Sequence, residues 1–277
     1  MTTDTNPQRL IGAQRRLDVL YFLARAGYAT TRQLAYYCTG SASKNKTNML
    51  NRTLSRMLAD NLIHERIDRL QTERFVALTT SGARLAAEQI PALGGIAPSV
   101  RDNLRHVNSH RTAANGVLAY YLRKYPPADG HIVRSELEIA ANRALGQMQY
   151  WSGPDNRSLD KVADGIIKVS RNDGWSTYWL EIENSYRSPR DLQRLVAFCR
   201  QWYRNHFQPF GTLTLIVTAD CARTVGERLF KALQQAARDD YEFRSNLLEV
   251  MQRVQVFEFD AALNEARPMV QSQQKSV

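Results

Sequence analysis

Three carboxylates fall at strand spacing in the stretch from Asp160 to Ser185, DKVADGIIKVSRNDGWSTYWLEIENS: Asp164, Glu181 and Glu183. Two segments rich in Ile, Val, Trp and Tyr flank Arg171-Asn172-Asp173-Gly174, a composition that predicts a β-hairpin with its turn at those four residues. A symmetric turn sets position 164 across from 181 and 162 across from 183. Side-chain alternation then puts Asp164, Ile166, Glu181 and Glu183 on one face. Ala163, Ile167, Val169, Tyr178, Leu180 and Ile182 go on the other, the face expected to meet a core. Carboxylates that converge repel one another, so one keeps its proton or a cation bridges them. Oxygen-only ligands suit Mg²⁺ or Mn²⁺. The plain alternative is a solvated strand face whose acids have no role, since a one-residue slip in register separates the group.

The 277 residues leave room for two domains, with 43% hydrophobic and 9% aromatic residues as in a globular protein. The net charge of +10 favours an anionic partner such as nucleic acid. Residues 1–98 hold 13 Lys and Arg against 7 Asp and Glu, so the excess is denser there than in the remainder. Cys38, Cys199 and Cys221 are scattered, with no CxxC pair, and suggest neither a zinc site nor a disulfide framework. That usage fits a reducing, cytoplasmic setting. The polar start MTTDTNPQRL has no signal-peptide character, and no apolar run approaches a membrane span.

Residues 14–26 show helical apolar spacing, ended by Gly27, and Thr30 or Thr31 caps a short second helix over TRQLAYYC. A third helix is expected from about Lys44 to Asp60, with Met49, Leu50, Leu54, Met57 and Leu58 as its buried stripe. Two short strands, LIHERI and RFVAL, flank a charged loop, and Thr79-Thr80-Ser81-Gly82 opens a closing helix. Three helices followed by a two-stranded wing form the winged helix-turn-helix pattern, which lays its third helix in the major groove and the wing on the backbone. The side chains suited to contact double-stranded DNA are Lys44, Lys46, Thr47, Asn48, Asn51 and Arg52 on that helix, with Arg66, Arg69 and Arg74 on the wing. A winged helix used for protein contacts would show a less basic exposed face.

The expected domain plan is a DNA-binding domain over 1–90, a Pro/Gly-rich linker over 91–99, an α/β domain over 100–267 and a polar, disordered tail over 268–277. The α/β domain begins with a helix from about Arg101 to Lys124. A strand-to-helix junction follows at Ser135 or Glu136, then the acidic hairpin. Next come a helix over Arg190–His206 and a buried strand over Thr212–Val217. Strand, helix, strand with a helix of that length makes a right-handed crossover between parallel strands. A helix over Ala222–Arg238, a further helical stretch and a strand over Val254–Phe259 complete the layer.

A Glu on an early helix, a hairpin with Asp and E-x-Glu, then a crossover helix and strand together resemble the PD-(D/E)xK restriction-endonuclease-like fold, over about Ser109 to Ala219. The resemblance implies that Asp164 and Glu181 are the paired acids and that Glu136 or Glu138 is the upstream helical acid. With Glu183 these would be the catalytic and metal-binding set. The chain departs from that pattern at two places: Ala163 precedes Asp164 where Pro is common, and Glu183 holds the slot of the lysine that positions water. Lys168 lies about 13 Å along the strand from Asp164 by the rise per residue and is a poor substitute.

With the winged helix and His110-Arg111 added, residues 14–219 are similar to the replication-relaxation family, which includes MobC-type plasmid mobilisation relaxases. That resemblance implies binding at an origin of transfer or replication of a mobile element and nicking there with Mg²⁺ or Mn²⁺, alongside other relaxosome or conjugation proteins. The nucleophile would be water or a tyrosine hydroxyl. The rival reading is a non-enzymatic DNA-binding protein: a relaxosome accessory, a replication initiator or a regulator with an inactive nuclease fold.

Overall fold

The computed structural model describes residues 7–68, 73–93, 103–141, 146–152, 157–261 and 265–269. The chain divides into two compact units, one running to Lys124 and the other starting at Tyr125.

The first unit runs α1 (Pro7–Ala26), β1 (Tyr28–Thr30), α2 (Thr31–Thr39), α3 (Lys44–Ala59), β2 (Ile63–Asp68), β3 (Glu73–Leu78), α4 (Thr80–Gln89) and α5 (Ser109–Lys124). Its helices surround a small antiparallel sheet of order β1-β3-β2. α1 starts earlier than the apolar periodicity suggests, because its first turns are exposed and carry no stripe. β1 is absent from the sequence reading. Three residues are too few for alternation to register, and Tyr28, Ala29 and Thr30 are all buried. Thr30 caps α2: its hydroxyl accepts from the Gln33 amide while Gln33 returns a bond to the Thr30 amide.

The division between units comes later in the chain than the expected boundary at 91–99. α5, expected to open the second domain, packs on α2 and β1. Asn115 donates to the Tyr28 carbonyl at 2.7 Å and Gln33 donates to the Thr112 carbonyl at 2.7 Å. The Tyr28 hydroxyl sits 3.1 Å from the Thr112 hydroxyl. The helix also starts at Ser109 rather than near Arg101. Pro91–Leu93 forms a 3-10 turn, and the remainder of the expected linker lies outside the described residues.

The second unit contains β4 (Ile132–Ser135), α6 (Glu136–Ala141), β5 (Gln147–Ser152), β6 (Arg157–Val162), β7 (Gly165–Arg171), β8 (Gly174–Glu183), α7 (Pro189–Arg204), β9 (Thr212–Val217), α8 (Val225–Arg238), α9 (Tyr241–Gln252), β10 (Val254–Asp260) and β11 (Glu265–Pro268). Six strands form a mixed sheet of order β11-β10-β9-β8-β7-β4, and β5 and β6 pair separately. β8, β9 and β10 are mutually parallel, with α7 and then α8–α9 as the connections; the outer pairings are antiparallel. Pro268, expected to begin the disordered tail, is a strand residue opposite Phe257, and Met269 donates its amide to Val256.

The β7–β8 register matches expectation: Gly165 pairs with Leu180, Ile166 with Trp179 and Arg171 with Gly174. The placement of the core differs. The large apolar cluster gathers Ile166, Trp179, Phe198, Trp202, Leu213 and Leu215, so it lies on the face that also carries Glu181 and Glu183. Trp179 decides this. Its indole packs among Phe198 and Phe210, at centroid distances of 5.1 and 4.9 Å, and adds more apolar area than the aliphatic side chains opposite. Ile167, Leu180 and Ile182 are buried as well, so β8 is covered on both sides.

α9 is held at its start by Asp240, whose carboxylate accepts from the Phe243 amide at 3.0 Å and pairs with Arg200. The Phe243 amide, with Arg200 adding, holds the Asp240 carboxyl below its ordinary value of 3.8. A depressed folded value means that the stabilisation is complete above 3.8 and is lost as pH falls through the folded value. Asp240→Ala is expected to lower stability by about 1 kcal/mol at neutral pH. Denaturant melts of both proteins should converge as pH falls through that depressed value. A gap that persists undiminished there would assign the loss to packing instead.

Candidate functional site

The acids of the hairpin are enclosed by cations. Glu181 and Glu183, at alternate positions of the central strand β8, are 2% and 3% exposed. Lys161 of β6 reaches Glu181 Oε2 with its Nζ at 2.7 Å, and the Trp179 indole N–H donates to Glu181 Oε1 at 2.6 Å. Arg187, in the loop between β8 and α7, donates through Nε to both oxygens of Glu183 at 2.8 Å and through Nη2 to Glu181 at 3.3 Å. Asp164, just before β7, accepts the Ile182 amide on Oδ2 at 2.6 Å, which continues the ladder by a side chain where the strand has ended.

Electrostatics follow from that enclosure. Burial pushes the Glu181 carboxyl above its ordinary range; Lys161 pulls it back and the Asp164 charge adds to the rise. Burial also disfavours the charged form of Lys161, but the adjoining Glu181 carboxylate outweighs it and holds the lysine above its ordinary value. Arg187 is held above its usual value by Glu183 and Glu181 against its own burial. Both glutamates are satisfied by charge-assisted hydrogen bonds, the arrangement a buried charge requires.

The upstream acids are placed differently. The pairing of Ser135 with Gly165 starts α6 beside the strand end that carries Asp164. Glu138 is buried and turned back on its own helix start, where Oε2 accepts the Ser135 amide at 2.9 Å and Oε1 stands 3.8 Å from Arg134. Glu136 is exposed. Among the described residues, no three or more His, Cys, Asp or Glu side chains are grouped to hold a metal ion. Of the tyrosines near the acids in sequence, Tyr150 is buried against Phe198 and the Tyr178 hydroxyl accepts from Arg171. Tyr186 is exposed with Arg228 4.0 Å above its ring.

The second group of site residues belongs to the first unit. α3 buries Leu50, Leu54 and Met57 and turns Lys44, Lys46, Asn48 and Arg52 outward. Thr47 is tied to its own first turn, its hydroxyl donating to the Ser43 carbonyl at 3.0 Å. Asn51 accepts from Arg74 of β3 at 3.2 Å, and Arg74 also pairs with Glu65 of β2, which links α3 to the β2–β3 pair. Arg66 donates to the Leu104 carbonyl at 2.8 Å. Arg69 lies outside the described residues.

Compared with protein-family models, with curated proteins and with solved structures, the chain matches none.

Lys161 and Arg187 are the site residues that sequence reasoning missed. The sequence reading carries the hairpin back to position 162, opposite 183, and gives Lys161 no part in it. The chain instead breaks at Ala163-Asp164, and Lys161 belongs to β6, paired with Met148 of β5. The available signal was the run Asp-Lys-Val-Ala-Asp-Gly, whose Gly165 marks a strand boundary. For Arg187 the signal was its place four residues after Glu183.

Proposed function

We propose that this protein binds duplex DNA through its first unit, with α3 in the major groove and the β2–β3 ribbon against the backbone. The observation that carries this reading is the polar, basic exposed surface of α3: Lys44, Lys46, Asn48 and Arg52 stand exposed on a helix that buries Leu50, Leu54 and Met57, with Asn48 and Arg52 opposite that stripe. The order helix, strand, helix, helix, strand, strand is that of a winged helix-turn-helix domain. Lys44, Lys46 and Arg52 suit phosphates and guanine edges, and Asn48 suits adenine. The Arg74 bridge from the ribbon to Asn51 orients the helix, so those two act as positioning residues. An origin of transfer or replication of a mobile element is the duplex that the resemblance implies.

The second unit favours a role without catalysis. Lys161, Arg187 and the Trp179 N–H already occupy Glu181 and Glu183, so the side chains as arranged suit ammonium and guanidinium partners and do not fit a resident divalent metal. One observation favours the second reading, an origin-nicking relaxase on a PD-(D/E)xK-like fold. Lys161 stands on Glu181 with the charge of Asp164 acting on both, which brings an acid–acid–lysine trio together from three strand ends.

Arg52→Ala is expected to weaken duplex binding and to reduce the slope of log K against log salt by about one unit, as loss of one phosphate contact does. Unchanged affinity and slope in Arg52→Ala and Lys46→Ala would remove α3 as the reading helix. Incubation of the parent protein with origin-bearing supercoiled plasmid and millimolar Mg²⁺ or Mn²⁺ separates the two readings. Binding without relaxation is the expected result. Relaxation by the parent that Lys161→Met abolishes, in variant protein still folded by circular dichroism, would establish the nicking reading.

A further inference from the structure

The turn end of the β7–β8 hairpin, away from the acids, borders a cavity of about 440 Å³ lined by Trp175, Tyr178, His206, Phe207, Gly211 and Arg253. Trp175 is 54% exposed, an uncommon state for so large an apolar side chain. Its ring is held by Lys168, whose Nζ lies 5.6 Å from the ring centroid. Arg171 donates to the Tyr178 hydroxyl at 3.0 Å. Arg253 lies over the Phe207 ring at 4.2 Å and is anchored by Glu249 and the Gly211 carbonyl. Glu249 is committed to Arg253.

The far wall is built at a conformational cost. His206 and Phe207 both adopt positive φ, +53° and +58°, which a bulky residue such as Phe takes only when its surroundings impose it. The Phe207 amide is held by the Trp202 carbonyl at 2.9 Å and the His206 amide by the Tyr203 carbonyl at 2.8 Å. Packing of Phe207 on Trp202 completes the wall and leaves the His206 imidazole exposed beside the cavity. Flat aromatic faces, cations beside them and hydrogen-bonding hydroxyls at one mouth are what an unpaired base and its phosphates require. The volume suits a single nucleotide and excludes a duplex.

We propose that this cavity is a binding site for single-stranded nucleic acid, in which an unpaired base stacks on Trp175 and a flanking phosphate meets Lys168, which stands on the same hairpin face. The site lies wholly within the second unit and is independent of duplex reading by α3.

The test uses the full chain, with anisotropy of a labelled short oligothymidylate and of a labelled duplex measured in parallel. Trp175→Ala is expected to weaken oligothymidylate binding about tenfold or more, the loss of one stacked base, and to leave duplex affinity unchanged. Trp175→Phe should restore most of the single-strand affinity, which a merely structural tryptophan would not predict. Lys168→Ala should weaken the same binding and flatten its salt dependence. Failure of the parent to bind the oligomer at low salt overturns the proposal, as does equal affinity in Trp175→Ala. Binding of free thymidine monophosphate with no gain for the oligomer overturns it in favour of a nucleotide pocket. Loss of duplex binding alone in the Arg52→Ala protein would bear on the first unit and leave this site standing.

Discussion

Replacement of Lys161 by Met is expected to lower the stability of the second unit by about 3–5 kcal/mol, because it strands a buried carboxylate without its nearest cation. Glu181 is 2% exposed, and Lys161 at 2.7 Å is its shortest ionic contact. Arg187 remains at 3.3 Å but is committed to Glu183 through its Nε. Glu181→Leu alone should cost a similar amount, since it leaves the Lys161 ammonium over Phe198 without its counter-charge. The double variant Lys161→Met, Glu181→Leu should recover most of the loss, as replacement of both members of a buried pair commonly does. Glu183→Lys, which would install the lysine of the nuclease pattern, instead places a second cation against Arg187 and is expected to unfold this region without creating cleavage. Chemical denaturation monitored by circular dichroism provides the cycle. Additive single losses, with no recovery in the double variant, would show that the two side chains do not act as a pair.

Gly82→Ala is expected to destabilise the first unit by about 3 kcal/mol, although Ala is the better helix former by about 1 kcal/mol. A Cβ at position 82 would stand 1.9 Å from the Leu62 carbonyl oxygen and 2.8 Å from its carbon, a backbone contact that no rotamer relieves. The same carbonyl accepts the Thr79 amide at 3.0 Å, and the Thr79 hydroxyl caps α4 through the Gly82 amide at 3.0 Å. Movement of α4 to admit the methyl group therefore breaks the cap and its anchor together. A lower unfolding midpoint with weaker duplex binding is the expected pair of results. An unchanged or raised midpoint would mean that α4 shifts freely and that its docking on residue 62 is not part of the fold.

The sequence alone was enough to place most of the elements that position the sites. The spacing of Leu50, Leu54 and Met57 defines α3 and its exposed basic face, since a 3.6-residue period carries its own orientation. The Asn172-Asp173-Gly174 turn likewise sets the β7–β8 register, because a tight turn leaves little freedom in pairing. Periodicity in one strand also brings Glu181 and Glu183 to one face.

What surrounds that face is non-local, and only the tertiary structure decided it. Lys161 reaches Glu181 because the chain breaks at Ala163-Asp164 and β6 leaves the main sheet to pair with β5. Trp179 draws the core to the acidic face through contacts with Phe198 and Phe210, which lie well along the chain. β1 is too short to carry a pattern of its own, and α5 joins the first unit through bonds to Tyr28 and Gln33 more than 75 residues earlier. A charge pattern records which groups need partners. The partner is chosen by the fold, since burial makes an unpaired charge too costly to keep and selects whichever cation the chain can bring within reach.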